Sequence, residues 1–248
     1  MFVEQDLLRL ELRYIFEKLR RRVSSQYALS KSAWEPRLLD APPGERFLVL
    51  APHTDDETIG CGGTVTKLLS MGRSVRVVCL SNESVEGSLS STRRAEAEKA
   101  MSEIGVTDHL IVQDEFPSAD SLRSIISEEM SSGQYDAVFL PSPIENHDHH
   151  TATCMAWAEA MRAGPKATTA ILYEIWTPLI PNMLVDITDL MPRKLEAVRA
   201  YASQVRSIDY VRAVEGLGSY RAAMSGRKGY LEAFLSISSS DLIRLMGL

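Results

Sequence analysis

The stretch FLVLAPHTDDETIGCGG, residues 47–63, begins as an apolar run and ends in charged side chains and glycines. The run FLVLA is typical of a buried strand. Just past its end lie His53, Asp55, Asp56 and Glu57. In an open parallel sheet, ligands bind outside the carboxyl ends of the strands. The stretch therefore predicts a strand that leads directly into a functional loop.

Apolar runs and helical patterns alternate along the chain from Arg46 onward. The predicted strands cover residues 47–51, 75–80, 109–113, 137–141, 169–176 and 183–187. The predicted helices cover residues 64–72, 91–104, 119–131, 151–163, 192–203 and the C-terminal SSSDLIRLMGL. Such alternation is typical of an α/β, Rossmann-like three-layer fold with a mostly parallel sheet and helices on both faces. We expect the segment from about residue 165 to form a small C-terminal appendage wrapped on the sheet.

The first 45 residues have a different pattern from the rest. Residues 5–22 predict an amphipathic helix with a basic end, and residues 24–45 predict a loop rich in Ser, Pro and Gly. The helix could lie on an anionic membrane surface, but docking on its own domain is favoured. We therefore divide the chain into an N-terminal helical extension, residues 1–45, and a main domain, residues 46–248.

Composition excludes several classes of function. The chain has 248 residues, a formal net charge of −6 and three widely spaced cysteines. The acidic balance provides no basic field for nucleic acid, so small-molecule chemistry is expected. An odd number of cysteines argues against a disulfide framework and for a reducing compartment. With no signal peptide or spanning segment evident, the sequence predicts a cytoplasmic protein.

Four of the five histidines fall into two clusters, each placed after a predicted strand. One cluster is the loop of the opening stretch, and the other is ENHDHH, residues 145–150, directly after AVFLP. The clustered histidines are His53, His147, His149 and His150. Imidazole with carboxylate is the ligand set of zinc, and two histidines with one carboxylate also describe mononuclear iron(II) sites. The two loops together predict a catalytic metal centre.

Gly60, Gly62 and Gly63 raise the alternative of a dinucleotide site. Their spacing is G-x-G-G instead of G-x-G-x-x-G, and acidic residues stand where a pyrophosphate needs positive potential. Dinucleotide binding is therefore not favoured. We expect the glycines to allow a tight turn and to let the helix start close to the sheet.

Two motifs resemble those of a known family. APHTDDETIGCGG resembles the A-H-P-D-D-E signature of the PIG-L/LmbE-like deacetylases, and HDHHTAT resembles their H-P-D-H-x-A motif. STRRAEAEKAMSEIGV and the C-terminal DITDLMPRKLEAVRAYASQ and GYLEAF are similar in order, so the resemblance spans roughly residues 46–235. It implies a zinc-dependent hydrolase that removes the acetyl group of an N-acetylated amino sugar, glycoconjugate or related small molecule.

The resemblance also implies a role for individual residues. The metal ligands would be His53, Asp56 and His150, with zinc as the metal and iron(II) as another possibility. Asp55 would be the general base, and His147 would take the place of the family's second catalytic histidine. Choosing His150 over His149 as the ligand matches the alanine that follows the family's motif.

Three further positions bear on the site. Arg93 matches the family's R-x-x-E helix and could bind a hydroxyl or phosphate of the substrate; the alternative is a solvated helix residue. Thr54 replaces the family's proline, which removes a fixed φ. His149 stands where the family has an aspartate, so the carboxylate that supports the second histidine is missing. Glu57 is expected at an early helix position or in a hydrogen bond that supports a ligand.

The implied reaction is attack of water on an acetamide carbonyl. Asp55 would take the proton while the metal and a protonated His147 stabilise the oxyanion. Two alternatives remain: a mononuclear iron(II) oxygenase, which the same ligand set allows, and a non-catalytic ligand-binding protein, which the changes at Thr54 and His149 make conceivable.

Overall fold

The computed structural model describes residues 36–83, 90–163 and 168–248. The predicted amphipathic helix over residues 5–22, its docking and its contact with a membrane lie outside the described residues. The division of the chain at residue 45 stays a prediction. No helix of the described part is both long enough and apolar enough to cross a bilayer.

Within these residues, eight strands form one sheet. Their bounds are β1 Arg37–Leu39, β2 Arg46–His53, β3 Ser74–Ser81, β4 Asp108–Ile111, β5 Ala137–Pro141, β6 Thr169–Tyr173, β7 Met183–Asp186 and β8 Leu231–Ser238. The spatial order is β1-β7-β8-β6-β5-β2-β3-β4. Pairings are parallel except for those of β8 with β6 and β7. The predicted mostly parallel α/β fold is confirmed.

Eight α-helices connect or follow these strands in the described part of the chain. They are α1 Asp56–Ser70, α2 Ser90–Ile104, α3 Ala119–Ser132, α4 Asp148–Ala163, α5 Met191–Ala200, α6 Ala202–Val205, α7 Tyr210–Met224 and α8 Ser239–Met246. A single 3-10 turn, Thr188–Leu190, precedes α5. The sequence patterns predicted no element over α7 or β8.

Alternate residues of the central strands pack on opposite faces of the sheet. Phe47 and Val49 of β2 belong to a core shared with α1, α2 and α5, whereas Leu48 and Leu50 belong to a core shared with α3, α4 and α8. This follows from the two-residue period of a strand. Because both faces are covered, the central strands are continuous apolar runs, which is why they were recognisable in the sequence.

The C-terminal part of the chain extends the sheet itself. β6 pairs with β5, and β8 lies between β6 and β7. The expectation of a subdomain wrapped on the sheet from residue 165 was therefore wrong in detail, because these strands complete the sheet. The stretch expected as loop over residues 24–45 contains β1, which pairs in parallel with β7.

Helix α1 begins at Asp56, eight residues before the predicted start. The three glycines therefore lie inside the helix rather than in a turn. A Cβ at Gly60 would lie 2.4 Å from a ring carbon of Tyr173, and a Cβ at Gly63 would lie 2.8 Å from Ile187. As expected, the glycines let this helix approach the sheet closely, and Asp56 and Glu57 form its first turn.

Candidate metal centre

The two polar clusters of the sequence meet at one edge of the sheet. β2 ends at His53, and its neighbour β5 ends at Pro141 and leads through a short loop to α4. From β2 the chain runs outward through β3 and β4 and returns to β5 on the opposite side of β2. The crevice between β2 and β5 is therefore a topological switch point, where ligands of open α/β sheets bind.

His53, Asp56 and His150 each offer a ligand atom, and these atoms lie within 4.8 Å of one another. The Nδ1 atom of His53 is 3.1 Å from Oδ2 of Asp56, and Nε2 of His150 is 3.4 Å from Oδ1 of the same carboxylate. Asp56 and His150 are buried and His53 is partly buried. The structure thus brings together the three residues for which the sequence predicted metal binding.

His150 provides a test of whether this cluster fits a cation. Its side chain is buried, and within the part of the chain that the structure describes neither ring nitrogen has a hydrogen-bond partner. A buried imidazole without hydrogen bonds destabilises the folded state. Here Nε2 of His150 faces the carboxylate of Asp56. Two imidazoles and one carboxylate are the donor set of a catalytic zinc or iron(II) site. The cluster could therefore hold a divalent metal ion.

Glu145 lies behind His150 at the other ring nitrogen. Its Oε2 is 3.7 Å from Nδ1 of His150, and the backbone amides of Ile175 and Trp176 donate to the carboxylate at 2.7 and 3.0 Å. A carboxylate behind a metal-binding histidine fixes the ring orientation. Burial alone would lower the pKa of His150, but Asp56 and Glu145 outweigh it and raise that pKa.

Asp55 adopts an unusual backbone conformation next to the cluster. Its φ is 141°, the only positive φ of a non-glycine residue among the described residues. Its amide donates to Glu57 at 3.1 Å, and Glu57 in turn accepts from the hydroxyls of Thr58 and Tyr201. Strained backbone of this kind persists only where the surroundings enforce it, and it is concentrated at functional sites.

Arg93 supports the same loop from α2. Its side chain is buried, its guanidinium donates to the carbonyl of Thr54 at 3.1 Å and to that of Glu83, and it lies 3.9 Å from Oδ2 of Asp55. The alternative of a solvated helix residue is therefore wrong. Because the guanidinium already donates hydrogen bonds to backbone carbonyls, contact between Arg93 and a substrate stays a prediction.

The two adjacent aspartates have opposite pKa shifts. Burial raises the pKa of Asp55 well above its usual range, the charge of Asp56 adds to this, and Arg93 acts against it. Burial also acts to raise the pKa of Asp56, but His150 and then His53 outweigh it and lower that pKa to about 2. One carboxylate is thus held as an anion within the cluster, and its neighbour binds a proton more readily.

His147 and His149 stand on the solvent side of the cluster. The ring of His147 lies 4.9 Å from that of His53 and 4.8 Å from that of His150, centroid to centroid. Burial, followed by the charges of the other histidines, lowers the pKa of His147 to about 4. At neutral pH this side chain is a neutral imidazole, which differs from the protonated form in the expected reaction. His53, His147 and His149 form a second group of possible ligands within 4.8 Å.

His149 is held in place by contacts that the sequence motifs did not reveal. Its Nδ1 is 2.9 Å from Nε2 of His53, and its ring stacks on Phe116 at 3.9 Å and 4°. The carboxylate of Glu83 lies 3.5 Å from His53 and 3.6 Å from His149. Glu83 follows β3 directly, so the strand-end rule that found the two loops also points to it. Nothing in the sequence marked Phe116.

A family model described as GlcNAc-PI de-N-acetylase, PIG-L, matches residues 48–161. Over these residues the chain is similar to the PIG-L family. The matched segment runs from β2 to α4 and contains both loops of the cluster. The resemblance inferred from the two motifs is therefore confirmed.

Relatives and solved structures agree with this family. The chain is 29% identical over 187 residues to a diacetylchitobiose deacetylase of Thermococcus kodakarensis, covering 64% of this chain and 70% of that one. The structure of an N,N'-diacetylchitobiose deacetylase from Pyrococcus horikoshii superposes with a TM-score of 0.65 at 28% identity, covering 79% of this chain and 85% of that one.

Proteins of this fold also carry out other chemistry. A 4-carboxy-2-hydroxymuconate hydratase from Pseudomonas putida superposes with a TM-score of 0.64 at 20% identity, covering 77% of this chain and 96% of that one. This likeness shows the fold alone. Function must therefore be argued from the residues of the site.

Proposed function

We propose that this protein is a metal-dependent N-deacetylase that hydrolyses the acetamide of an N-acetylated amino sugar or glycoconjugate. The observation that carries the proposal is the cluster of His53, Asp56 and His150, together with the buried carboxylate of Asp55, the residue before Asp56. The likeness to diacetylchitobiose deacetylases supports an amide of this kind as the substrate.

Zinc is the metal that we propose for the cell, held by His53, Asp56 and His150. A divalent cation at this position polarises an amide carbonyl and lowers the pKa of water. Asp56 supplies the anionic ligand, since its low pKa keeps it charged. Glu145 orients the ring of His150, and His149 orients that of His53.

Asp55 is the proposed general base. Its carboxylate is not among the grouped ligand atoms of the cluster, and its raised pKa favours accepting a proton from water. Arg93 and Glu57 act as positioning residues, because they bind the backbone on either side of Asp55. Substrate binding by Arg93 is retained as a separate proposal.

His147 is proposed to act next to the scissile carbonyl. As a neutral imidazole it carries one N–H, which can donate to the oxygen on which negative charge develops. The proton that Asp55 takes from water can then pass through His147 to the departing amine. The rings of His53 and His150 disfavour a second positive charge beside them, so a proton on His147 is readily released.

The proposed partner is a small molecule, and we propose a cytoplasmic location from the three free, buried cysteines. The acidic net charge is consistent with the expected absence of a nucleic-acid partner.

The test is acetate release by the purified 248-residue chain from N-acetylglucosamine and N,N'-diacetylchitobiose, after removal of metal and after addition of zinc or iron(II). Hydrolysis should require metal, and Asp55→Asn should reduce kcat by about 10²- to 10⁴-fold, the usual contribution of a general base. Metal content of the variant should be unchanged. Asp120→Asn, on the exposed start of α3, is the matched control and should retain activity.

The same assay separates the alternatives. Dioxygen uptake with iron(II) and no acetate would indicate an oxygenase. Thermal stabilisation by the sugars with neither reaction would indicate a non-catalytic binding protein. Full activity of Asp55→Asn would show that the base has been assigned to the wrong residue.

A further inference from the structure

A cavity of about 260 Å³ lies along α1 and is lined mainly by aliphatic side chains. These are Ile59, Ile175, Ile187, Ile208, Val214 and Leu217. Its wall is formed by α1, the residues after β6, the ends of β7 and β8, and α7. The reaction proposed above assigns no role to it.

The cavity and the metal centre share two elements. Ile59 and Gly60 of the cavity wall follow Asp56 by three and four residues, so they lie on the same face of α1, about 5–6 Å further along its axis. On the other side, the amides of Ile175 and Trp176 bind Glu145, the carboxylate next to His150. The cavity therefore lies about one helical turn from the cluster.

Two aromatic rings also line the cavity. That of Tyr210 lies 6.1 Å from that of Trp176, centroid to centroid. Burial raises the pKa of the Tyr210 phenol, and the charges of Asp55 and Asp56 add to this effect.

The charged groups in the wall already have partners within the protein. Lys194 donates to Glu232 at 2.6 Å and to the carbonyl of Ile59 at 2.7 Å. Glu232 also accepts from the amides of Gly63 and Thr64 on α1. Glu174 is bound at 2.9 Å by Arg221. A sugar ring buried here would leave its hydroxyls poorly bonded, which is costly.

We propose that this cavity binds the aliphatic acyl chain of the amide that the site cleaves, so that the substrates include N-acyl compounds with chains longer than acetyl. The inference rests on the proposed amide hydrolysis. The proposed substrate has two parts, one on each side of the carbonyl that is cleaved. The amine part is a hydroxylated sugar, and the acyl part is apolar. Only the acyl part matches an aliphatic wall. The volume is below that of pockets for drug-sized ligands, so it suits a chain rather than a whole glycolipid.

The test uses N-acetyl-, N-butanoyl-, N-hexanoyl- and N-octanoylglucosamine with the zinc-loaded protein. Binding is measured by calorimetry in Asp55→Asn, so that hydrolysis does not interfere, and kcat/KM is measured in the unmodified protein. We expect affinity to rise about fourfold per added methylene until the cavity is filled, in line with the burial of apolar surface. Octyl glucoside, with its chain on the sugar, should gain no comparable affinity.

Ala213→Trp places a large ring on an exposed position of α7 that lines the cavity. It should remove the gain for the longer chains and leave binding of the acetyl compound unchanged. Arg212→Trp adds the same side chain at the adjacent exposed position, which does not line the cavity, and should retain the gain. Leu217→Trp provides a second filling variant, should Ala213→Trp fold poorly.

Affinity that does not rise with acyl length overturns the inference, even if acetyl groups are hydrolysed. A rise that persists in both filling variants, or one that occurs only with the alkyl glycoside, also overturns it. If the longer acyl compounds bind in the cavity but no amide is cleaved, the cavity is assigned correctly and the proposed hydrolase activity fails.

Discussion

Asp55 shows how a single residue can be costly to the fold and useful to the site. Its positive φ places an L side chain in a conformation that costs of order 1–3 kcal/mol, and its carboxylate is buried beside that of Asp56. Hydrogen bonds from its amide to Glu57 and from Arg93 to Thr54 hold this backbone in place. The result is a carboxylate presented next to the cluster without joining it.

We predict that Asp55→Gly is more stable than Asp55→Ala by about 1–2 kcal/mol in the free energy of unfolding, because glycine adopts positive φ without strain. Elsewhere in a protein, glycine is usually the less stable choice. Both substitutions remove the carboxylate, so the difference between their free energies of unfolding measures the cost of the positive φ. Urea denaturation monitored by circular dichroism measures it, and an equal or greater stability of the alanine variant would show that the backbone here is unstrained.

His149, which stands where the related family has an aspartate, contacts the proposed metal ligand His53. If Nδ1 of His53 binds the metal, its Nε2 retains a proton and donates to Nδ1 of His149 at 2.9 Å. Stacking on Phe116 holds the acceptor ring. Loss of such a partner typically weakens metal affinity 10- to 100-fold.

His149→Ala should therefore weaken zinc binding by about 10- to 100-fold, measured by competition with a chelating dye. The control is His109→Ala, since His109 pairs with Glu98 in a different region of the molecule. Zinc affinity in His149→Ala equal to that of the control would contradict the supporting role.

At the scale of elements, the position of α1 depends on which of its residues have no side chain. Gly60 and Gly63 contact Tyr173 and Ile187 so closely that an added Cβ would overlap them. Gly62 points elsewhere, and a Cβ there would meet its nearest neighbours at 3.6 Å or more. Because Asp56 begins this helix, any displacement of α1 also moves a proposed metal ligand.

Gly60→Ala should destabilise the protein by roughly 1–3 kcal/mol, the usual cost of overpacking, and should also weaken metal binding. Gly62→Ala should be neutral or slightly stabilising, since alanine is favoured over glycine within a helix by about 1 kcal/mol. Chemical denaturation of the two variants compares the same substitution two residues apart. A Gly60→Ala variant as stable as Gly62→Ala would mean that Tyr173 can move aside at little cost.

The same elements show what could be predicted from the sequence. Buried parallel strands were found because they are continuous apolar runs, and the two loops because histidines follow two of these runs. The start of α1 was missed because glycine is a poor helix former, and packing on the sheet overrides that preference. The partners of the site, such as Phe116 and Glu145, come from segments whose distance in space is set by the fold and not by local pattern.

At the scale of the whole molecule, strand order brings the distant loops together. His53 and His150 are almost a hundred residues apart, and they meet because β2 and β5 are neighbours in the sheet. The free energy of binding a metal between them is therefore available to the folded state alone. The free energy of unfolding of the whole protein should therefore rise when the site binds a metal ion.

Zinc should raise the melting temperature, and the rise should be larger at pH 7.5 than at pH 5.5. Without metal, the raised pKa of His150 means that its protonated form stabilises the fold at low pH, and this contribution is lost as pH rises through that pKa. Zinc requires the neutral ring, so protons compete with it at pH 5.5. Asp56, with its pKa near 2, stays ionised across this range and contributes no change.

At a free zinc concentration about 100 times the dissociation constant, the gain is about 2.7 kcal/mol, which corresponds to roughly 5–10 °C for a chain of this size. Differential scanning fluorimetry at both pH values, with zinc or with a chelator, measures the shift. His150→Gln should show no zinc-dependent shift at either pH, whereas His109→Gln should behave as the unmodified protein. A zinc shift of the same size at both pH values would mean that no proton is displaced from His150, and a shift that persists in His150→Gln would place the ion elsewhere.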